Sequence, residues 1–96
     1  MMSELMREHV LLSLLRGLHE SPRYITNSSM LTDRVQAFGL DVSRDSVHIE
    51  LHWLAEQGLV RVDPMSDLLV AELTARGADA VAGRTNVPGV KRPSPR

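Results

Sequence analysis

The chain contains no cysteine, and among its 96 residues there is one phenylalanine, one tryptophan and one tyrosine. The first absence excludes disulfides, thiolate metal centres and a cysteine nucleophile, and suits a reducing compartment. The second means that the core must be built from Leu, Val, Ile and Met. No apolar run approaches the roughly 20 residues of a membrane-spanning helix. The start, Met1-Met2-Ser3-Glu4-Leu5, lacks the basic region of a signal peptide. The expectation is a cytoplasmic protein with no membrane segment. Positive charge is also in short supply: the net charge is −1, low for a protein that holds nucleic acid. There is no glycine-rich phosphate loop, no nucleophile elbow and no carboxylate pair with a pocket of its own. These absences predict a protein that is not an enzyme and takes no metal and no cofactor.

What is present reads as one small domain, of the size that often gains stability by dimerising. Ser3 to about Glu20 has helical periodicity, with Val10, Leu11, Leu14, Leu15 and Leu18 on one arc. Leu5 and Leu12 fall outside that arc, seven residues apart, and are candidates for the seam of a homodimer. Ser21-Pro22-Arg23 ends the helix. Tyr24-Ile25-Thr26 suits a very short strand. A second helix is expected from about Ser29 to Phe38, with Met30, Leu31, Val35 and Phe38 as its apolar stripe and Gly39 as its stop. Ser43 is an N-cap for a third helix, Arg44 to about Gln57, whose core stripe is Val47, Leu51 and Leu54.

After Gly58 the period changes from 3.6 to 2. Leu59–Val62 and Leu68–Leu73 read as a hairpin around the turn cluster Asp63-Pro64-Met65-Ser66-Asp67. Thr74 caps a last helix of about Ala75 to Gly83. The fold class expected is therefore mainly α with a small β-hairpin, in the order helix, helix, helix, hairpin, helix: a winged helix-turn-helix domain over residues 1–84. Residues 85–96 read as an extended, basic, proline-containing tail without a core pattern.

Charge is distributed unevenly. Residues 43–73 carry Arg44 and Arg61 against six acids, net −4, whereas residues 74–96 carry five bases against Asp79, net +4. The third helix would read DNA in such a fold, and its outward positions are expected to be Asp45, His48, Ile49, His52, Trp53 and Glu56. That face is poor in the Arg, Asn and Gln that base readout favours. The DNA-contact candidates are Arg44, Ser46, His48 and His52 on the helix, Arg61 on the wing, and Lys91, Arg92 and Arg96 in the tail. Ile49 and Trp53, at i and i+4, form an apolar patch that suits a protein partner. Trp53 has two further readings, as ordinary core and as a stacking platform for nucleic acid. His48, His52 and Glu56 share a face at metal-ligand spacing, but no third strong ligand accompanies the histidines, and a solvated polar face is the reading taken.

The stretch Val42-Ser43-Arg44-Asp45-Ser46-Val47, continuing through Leu51-His52-Trp53-Leu54-Ala55-Glu56-Gln57-Gly58-Leu59-Val60, resembles the third helix and first wing strand of bacterial winged-helix regulators. With Leu73-Thr74-Ala75-Arg76-Gly77-Ala78-Asp79 and Val87-Pro88-Gly89-Val90-Lys91-Arg92-Pro93, the chain resembles a small regulator-like protein of Mu-like transposable phages and prophages. The resemblance implies a winged-helix DNA-binding protein, a phage, prophage or bacterial transcriptional regulator, and with the seam candidates Leu5 and Leu12 the expectation is a dimer that binds double-stranded DNA in the bacterial host's cytoplasm. The charge pattern leaves open the alternative, a winged-helix module that binds a protein and not DNA.

Overall fold

The computed structural model describes residues 2–94; Arg96, one of the tail bases, lies outside the described residues. Ser3 accepts a hydrogen bond from the Met6 amide and starts α1 (Glu4–His19). The same device opens each later helix. Asn27 caps α2 (Ser28–Ala37), Ser43 caps α3 (Arg44–Glu56) and Thr74 caps α4 (Ala75–Val81), each side chain satisfying one otherwise unpaired amide. Between α1 and α2 the chain turns through Pro22–Tyr24, with Arg23 and Tyr24 in the left-handed region at φ 56° and 63°. That reversal delivers β1 (Ile25–Asn27). β2 (Val60–Met65) and β3 (Leu68–Leu73) form the hairpin, and the sheet is antiparallel in the order β1-β3-β2. The element order read from the sequence is the one observed, including the short strand beside the wing.

One apolar cluster joins these elements. α1 contributes six Val and Leu side chains, α2 Leu31 and Val35, α3 Val47, Leu51 and Leu54, and the hairpin region Leu59, Val60, Leu69, Ala71 and Leu73. Gly17 brings α2 close to α1: a Cβ there would lie 2.8 Å from Arg34 Cδ and 2.9 Å from Leu31 Cδ2.

Four expectations are corrected. Leu12 is not a surface residue: it is 5% exposed, and α1's buried arc is wider than one core face requires. Of the expected seam only Leu5, 60% exposed, faces outward. Met30 and Phe38 are exposed, and α2 instead buries Ser28, Leu31, Thr32 and Val35, a regular i, i+3, i+4, i+7 face. The two hydroxyls on that face are satisfied: Thr32 Oγ1 donates to the Ser28 carbonyl at 2.7 Å, and Ser28 Oγ accepts from the Leu69 amide at 3.0 Å. β2 continues through Asp63 and Pro64 to Met65, so the turn shrinks to Ser66-Asp67. Proline fits there because β2 is an edge strand.

The fourth correction concerns the C-terminal segment, which does contribute to the core. Val87 and Val90 are buried, and the Lys91 amide donates to the Glu8 carbonyl of α1 at 3.3 Å. A Val-Pro-Gly-Val turn has no helix or strand period, so periodicity gave no signal that its two valines point inward.

Candidate nucleic-acid interface

α3 is fixed on both flanks. On the wing flank, His48 Nε2 lies 2.7 Å from Ser28 Oγ, the same oxygen that accepts from Leu69 of β3. One hydroxyl at the start of α2 therefore joins all three parts of the helix-turn-helix and wing. The turn between α2 and α3 is closed by Gln36, whose Nε2 donates to the Val42 carbonyl at 2.9 Å. On the opposite flank, Glu50 is buried and accepts from Arg7 Nε at 3.0 and 2.9 Å, with Arg7 Nη2 2.9 Å from its Oε1. This bidentate contact raises the Arg7 pKa further, the hydrogen bond to Glu50 being the largest cause. The Arg7 guanidinium also lies over the Trp53 ring at 4.9 Å. Trp53 is half-buried against the core, and Gly89 (φ 95°) crosses it: a Cβ at Gly89 would stand 3.2 Å from the indole.

The outward stripe of α3 is therefore Asp45, Ile49, His52 and Glu56, all exposed, with Ile49 at 67%. Of the six residues expected there, His48 is turned inward to Ser28 and Trp53 lies under the C-terminal segment. Ser46 is half-buried in a shallow recess with Met2, Met6 and Val42, on the side away from the wing. Arg44 stands at the N-terminal end of α3, 3.8 Å from Asp67 at the wing tip. Arg61 of β2 pairs with its cross-strand neighbour Glu72 at 3.3 Å. Lys91 and Arg92 lie near α1, beyond Gly89 and on the Trp53 flank, so they are not part of the stripe.

Sequence reasoning missed Glu50 and Ser28. Glu50 had a readable signal: it lies three residues after Val47 and four before Leu54, on the core side, where a lone acid needs a cation. Its partner, 43 positions earlier, had none. Ser28 carries no sequence signal for this role, because its two partners lie 20 and 41 positions away. Among the described residues no group of three or more His, Asp or Glu is arranged to hold a metal ion, and no helix is long and apolar enough to cross a membrane.

No family model matches the chain. Two solved chains share its architecture. The complex structure of hsRosR-S1 superimposes with a TM-score of 0.62 over 75% of this chain and 63% of that one, at 22% identity. Sco3205, a MarR family transcriptional regulator from Streptomyces coelicolor solved in complex with DNA, superimposes with a TM-score of 0.61 over 90% of this chain, at 27% identity. The chain spans only 54% of Sco3205, so less than two thirds of either solved chain is matched. The fold is the winged helix-turn-helix of transcription regulators. In sequence, an uncharacterized protein of Haemophilus influenzae is 39% identical over 74 residues, 76% of this chain and 72% of its own length. The uncharacterized protein gp26 of Escherichia phage Mu is 43% identical over 96 residues, covering 100% of this chain and 99% of gp26. The chain belongs to the family of phage Mu gp26, small phage-type proteins with a winged-helix fold.

Proposed function

We propose that this chain is a DNA-binding regulator of phage or prophage origin, acting without enzymatic activity in the host cytoplasm. In this reading α3 enters the major groove and the β2–β3 wing follows the backbone. The observation that carries it is the uncovered outward side of α3, held rigidly between α2 and the wing by the Ser28 hydroxyl. The DNA complex of Sco3205, whose fold covers 90% of the chain, supports it.

Arg44 and Arg61 supply the first phosphate contacts. Each is held by one exposed or half-exposed acid, Asp67 and Glu72, and exchanges it for a phosphate on binding. Lys91, Arg92 and Arg96 add charge from the C-terminal segment. His52 is the outward polar side chain best able to meet a base edge, so sequence preference is slight. Two copies reading two half-sites belong to the same proposal, with the exposed Leu5 available to their contact.

The test is fluorescence anisotropy with random duplex DNA at low and moderate salt. Binding should weaken by roughly 0.9 log units per log unit of salt for each phosphate neutralised. Replacing Arg44 and Arg61 together by Ala should flatten that dependence by about two phosphates' worth. Absence of binding at low salt overturns the proposal. The second reading, a protein-docking face, then takes its place. It is favoured by one observation: the largest apolar group on the outward stripe, Ile49, stands between Asp45 and Glu56 in a region of net charge −4.

A further inference from the structure

We infer that Met65, at the tip of the β2–β3 wing and backed by Leu68, is an apolar wedge that enters the minor groove at an easily unstacked base step and so sets the sequence preference of this protein. The inference rests on the DNA-binding reading and supplies what that reading lacks, since the outward stripe of α3 offers few groups to a base edge. In the hairpin, Val60, Val62 and Pro64 stand opposite Leu73, Ala71 and Leu69 on the side toward the core. Arg61, Asp63 and Met65 therefore stand opposite Glu72, Val70 and Leu68 on the other side. The last rung of that outer side, Met65–Leu68, is wholly apolar, and Met65 is 54% exposed. The reversal beyond it takes only Ser66 and Asp67, with Ser66 at φ 58°, so Met65 stands at the extremity of the wing. Pro64, with its ring-locked φ, stiffens the backbone just behind it.

Position and charge both bear on how this tip meets DNA. Asp67 lies 3.8 Å from Arg44 at the N-terminal end of α3, so a duplex that meets the helix also meets the tip. The one cation within residues 60–73 is Arg61, which stands 3.3 Å from Glu72, four residues before Met65. A cationic tip would seek the narrow, strongly negative minor groove of an A-tract. Here Asp63 and Asp67 flank Met65 instead. In an undistorted minor groove, about 6 Å wide, they would stand close to the phosphates. An apolar side chain pushed between two bases partly unstacks them and bends the duplex toward the major groove. That bend widens the minor groove and draws the phosphates away from the two acids. Pyrimidine–purine steps unstack most easily, so the wedge is favoured there and disfavoured on stiff DNA. Preference then arises from deformability, without a hydrogen bond from the wing to any base.

The experiment compares binding of the full chain, by fluorescence anisotropy at low salt, to two duplexes of equal length. One alternates thymine and adenine along each strand, and the other is an A-tract. Both contain only A·T pairs, whose minor-groove acceptors are the same, so hydrogen bonding in that groove does not separate them. 2-Aminopurine in place of adenine at the TpA steps reports unstacking as a rise in emission. The alternating duplex should bind about tenfold more tightly, because its flexible steps cost less to deform, and its emission should rise on binding. Met65→Ser should remove both the preference and the rise, and Met65→Leu should keep both. Met65 is exposed, so neither change puts folding at stake. A preference of the parent for the A-tract overturns the wedge and leaves DNA binding in place. So does a Met65→Ser variant that keeps the preference and the rise, and a Met65→Leu variant that behaves like Met65→Ser overturns the demand for an apolar side chain. Failure of the parent to bind either duplex overturns the DNA-binding reading, and the wedge with it.

Discussion

α3 shows two differently finished sides to the rest of the molecule. Toward α1 and the C-terminal segment it presents Glu50 and Trp53, an acid and an aromatic that both find partners: Arg7 for the carboxylate, Arg7 and Gly89 for the indole. Away from the core it presents Asp45, Ile49, His52 and Glu56, for which no hydrogen bond or ion pair is seen among the described residues. The residue types on the two sides are similar, so composition does not separate them. What separates them is whether a segment distant in sequence returns to cover that side. The N-terminal helix and residues 87–91 return to one; among the described residues nothing returns to the other.

The sharpest test of that division pairs two aliphatic residues of the same helix. Leu51 is fully buried, and Leu51→Ala should lower folding stability by about 2–5 kcal/mol. Ile49→Ala should change it by no more than about 0.5 kcal/mol. Urea denaturation at several protein concentrations measures both and reveals any coupling to self-association. Comparable losses would mean that Ile49 is covered in solution, and the outward side would no longer be open.

The Arg7–Glu50 pair should give the next largest effect. Arg7→Met keeps the aliphatic stem over Trp53 but leaves a buried carboxylate without its two charge-assisted hydrogen bonds. Since Arg7 is itself 37% exposed, the loss should lie at the low end for such pairs, about 2–3 kcal/mol. A loss below about 0.5 kcal/mol in the same denaturation experiment would show that Glu50 reaches water, and the covered side would then be held by apolar contact alone.

The C-terminal cover should matter less for stability and more for Trp53. Val90→Ser removes one small apolar anchor, at a cost of about 1–2 kcal/mol, and loosens Gly89 from the indole. Trp53 is the only tryptophan, so its emission reports on this site alone, and a red shift is expected in the folded variant. An unchanged emission maximum would mean that α1 and Arg7 shield the ring without help from residues 87–91.

The helices, hairpin and core stripe of α3 were legible because each is a local pattern: a cap, a period, a glycine stop. Leu31, Val35, Val47, Leu51 and Leu54 are all core as read. The errors share a physical origin. Met30 and Phe38 read as inward because they are apolar, although the face at 28, 31, 32 and 35 is set by geometry, and hydrogen bonding makes its two hydroxyls acceptable inside. Leu12 reads as outward because one core face does not need it, and sequence gives no measure of how wide a buried arc is. On α3, the outward positions of Asp45, Ile49, His52 and Glu56 are legible from the helical period. The inward turn of His48 was not, because it depends on a serine 20 residues away.

The smallest effect expected distinguishes the buried ion pair from a surface one. Glu20 at the end of α1 pairs with Arg34 of α2, but its side chain is 61% exposed. Its carboxyl is held below the usual glutamate range, chiefly by the hydrogen bond from Arg34, with His19 and Arg16 adding to the field. A carboxyl whose folded value is depressed contributes stability that is fully present above the unfolded value and is lost as pH falls through the folded one. Glu20→Gln should therefore be less stable than the parent near neutral pH, by less than about 1 kcal/mol because water and salt screen an exposed pair. That difference should shrink on the acid side of the ordinary glutamate range and vanish once the parent's carboxyl is protonated. Raising the salt concentration at neutral pH should shrink it too, whereas the loss caused by Arg7→Met, which rests on a buried carboxylate, should respond to salt far less. Denaturation curves for the two variants across pH and salt would measure this. A Glu20→Gln loss that persists unchanged into acid would mean that the side chain acts by packing and that its charge is not what joins α1 to α2.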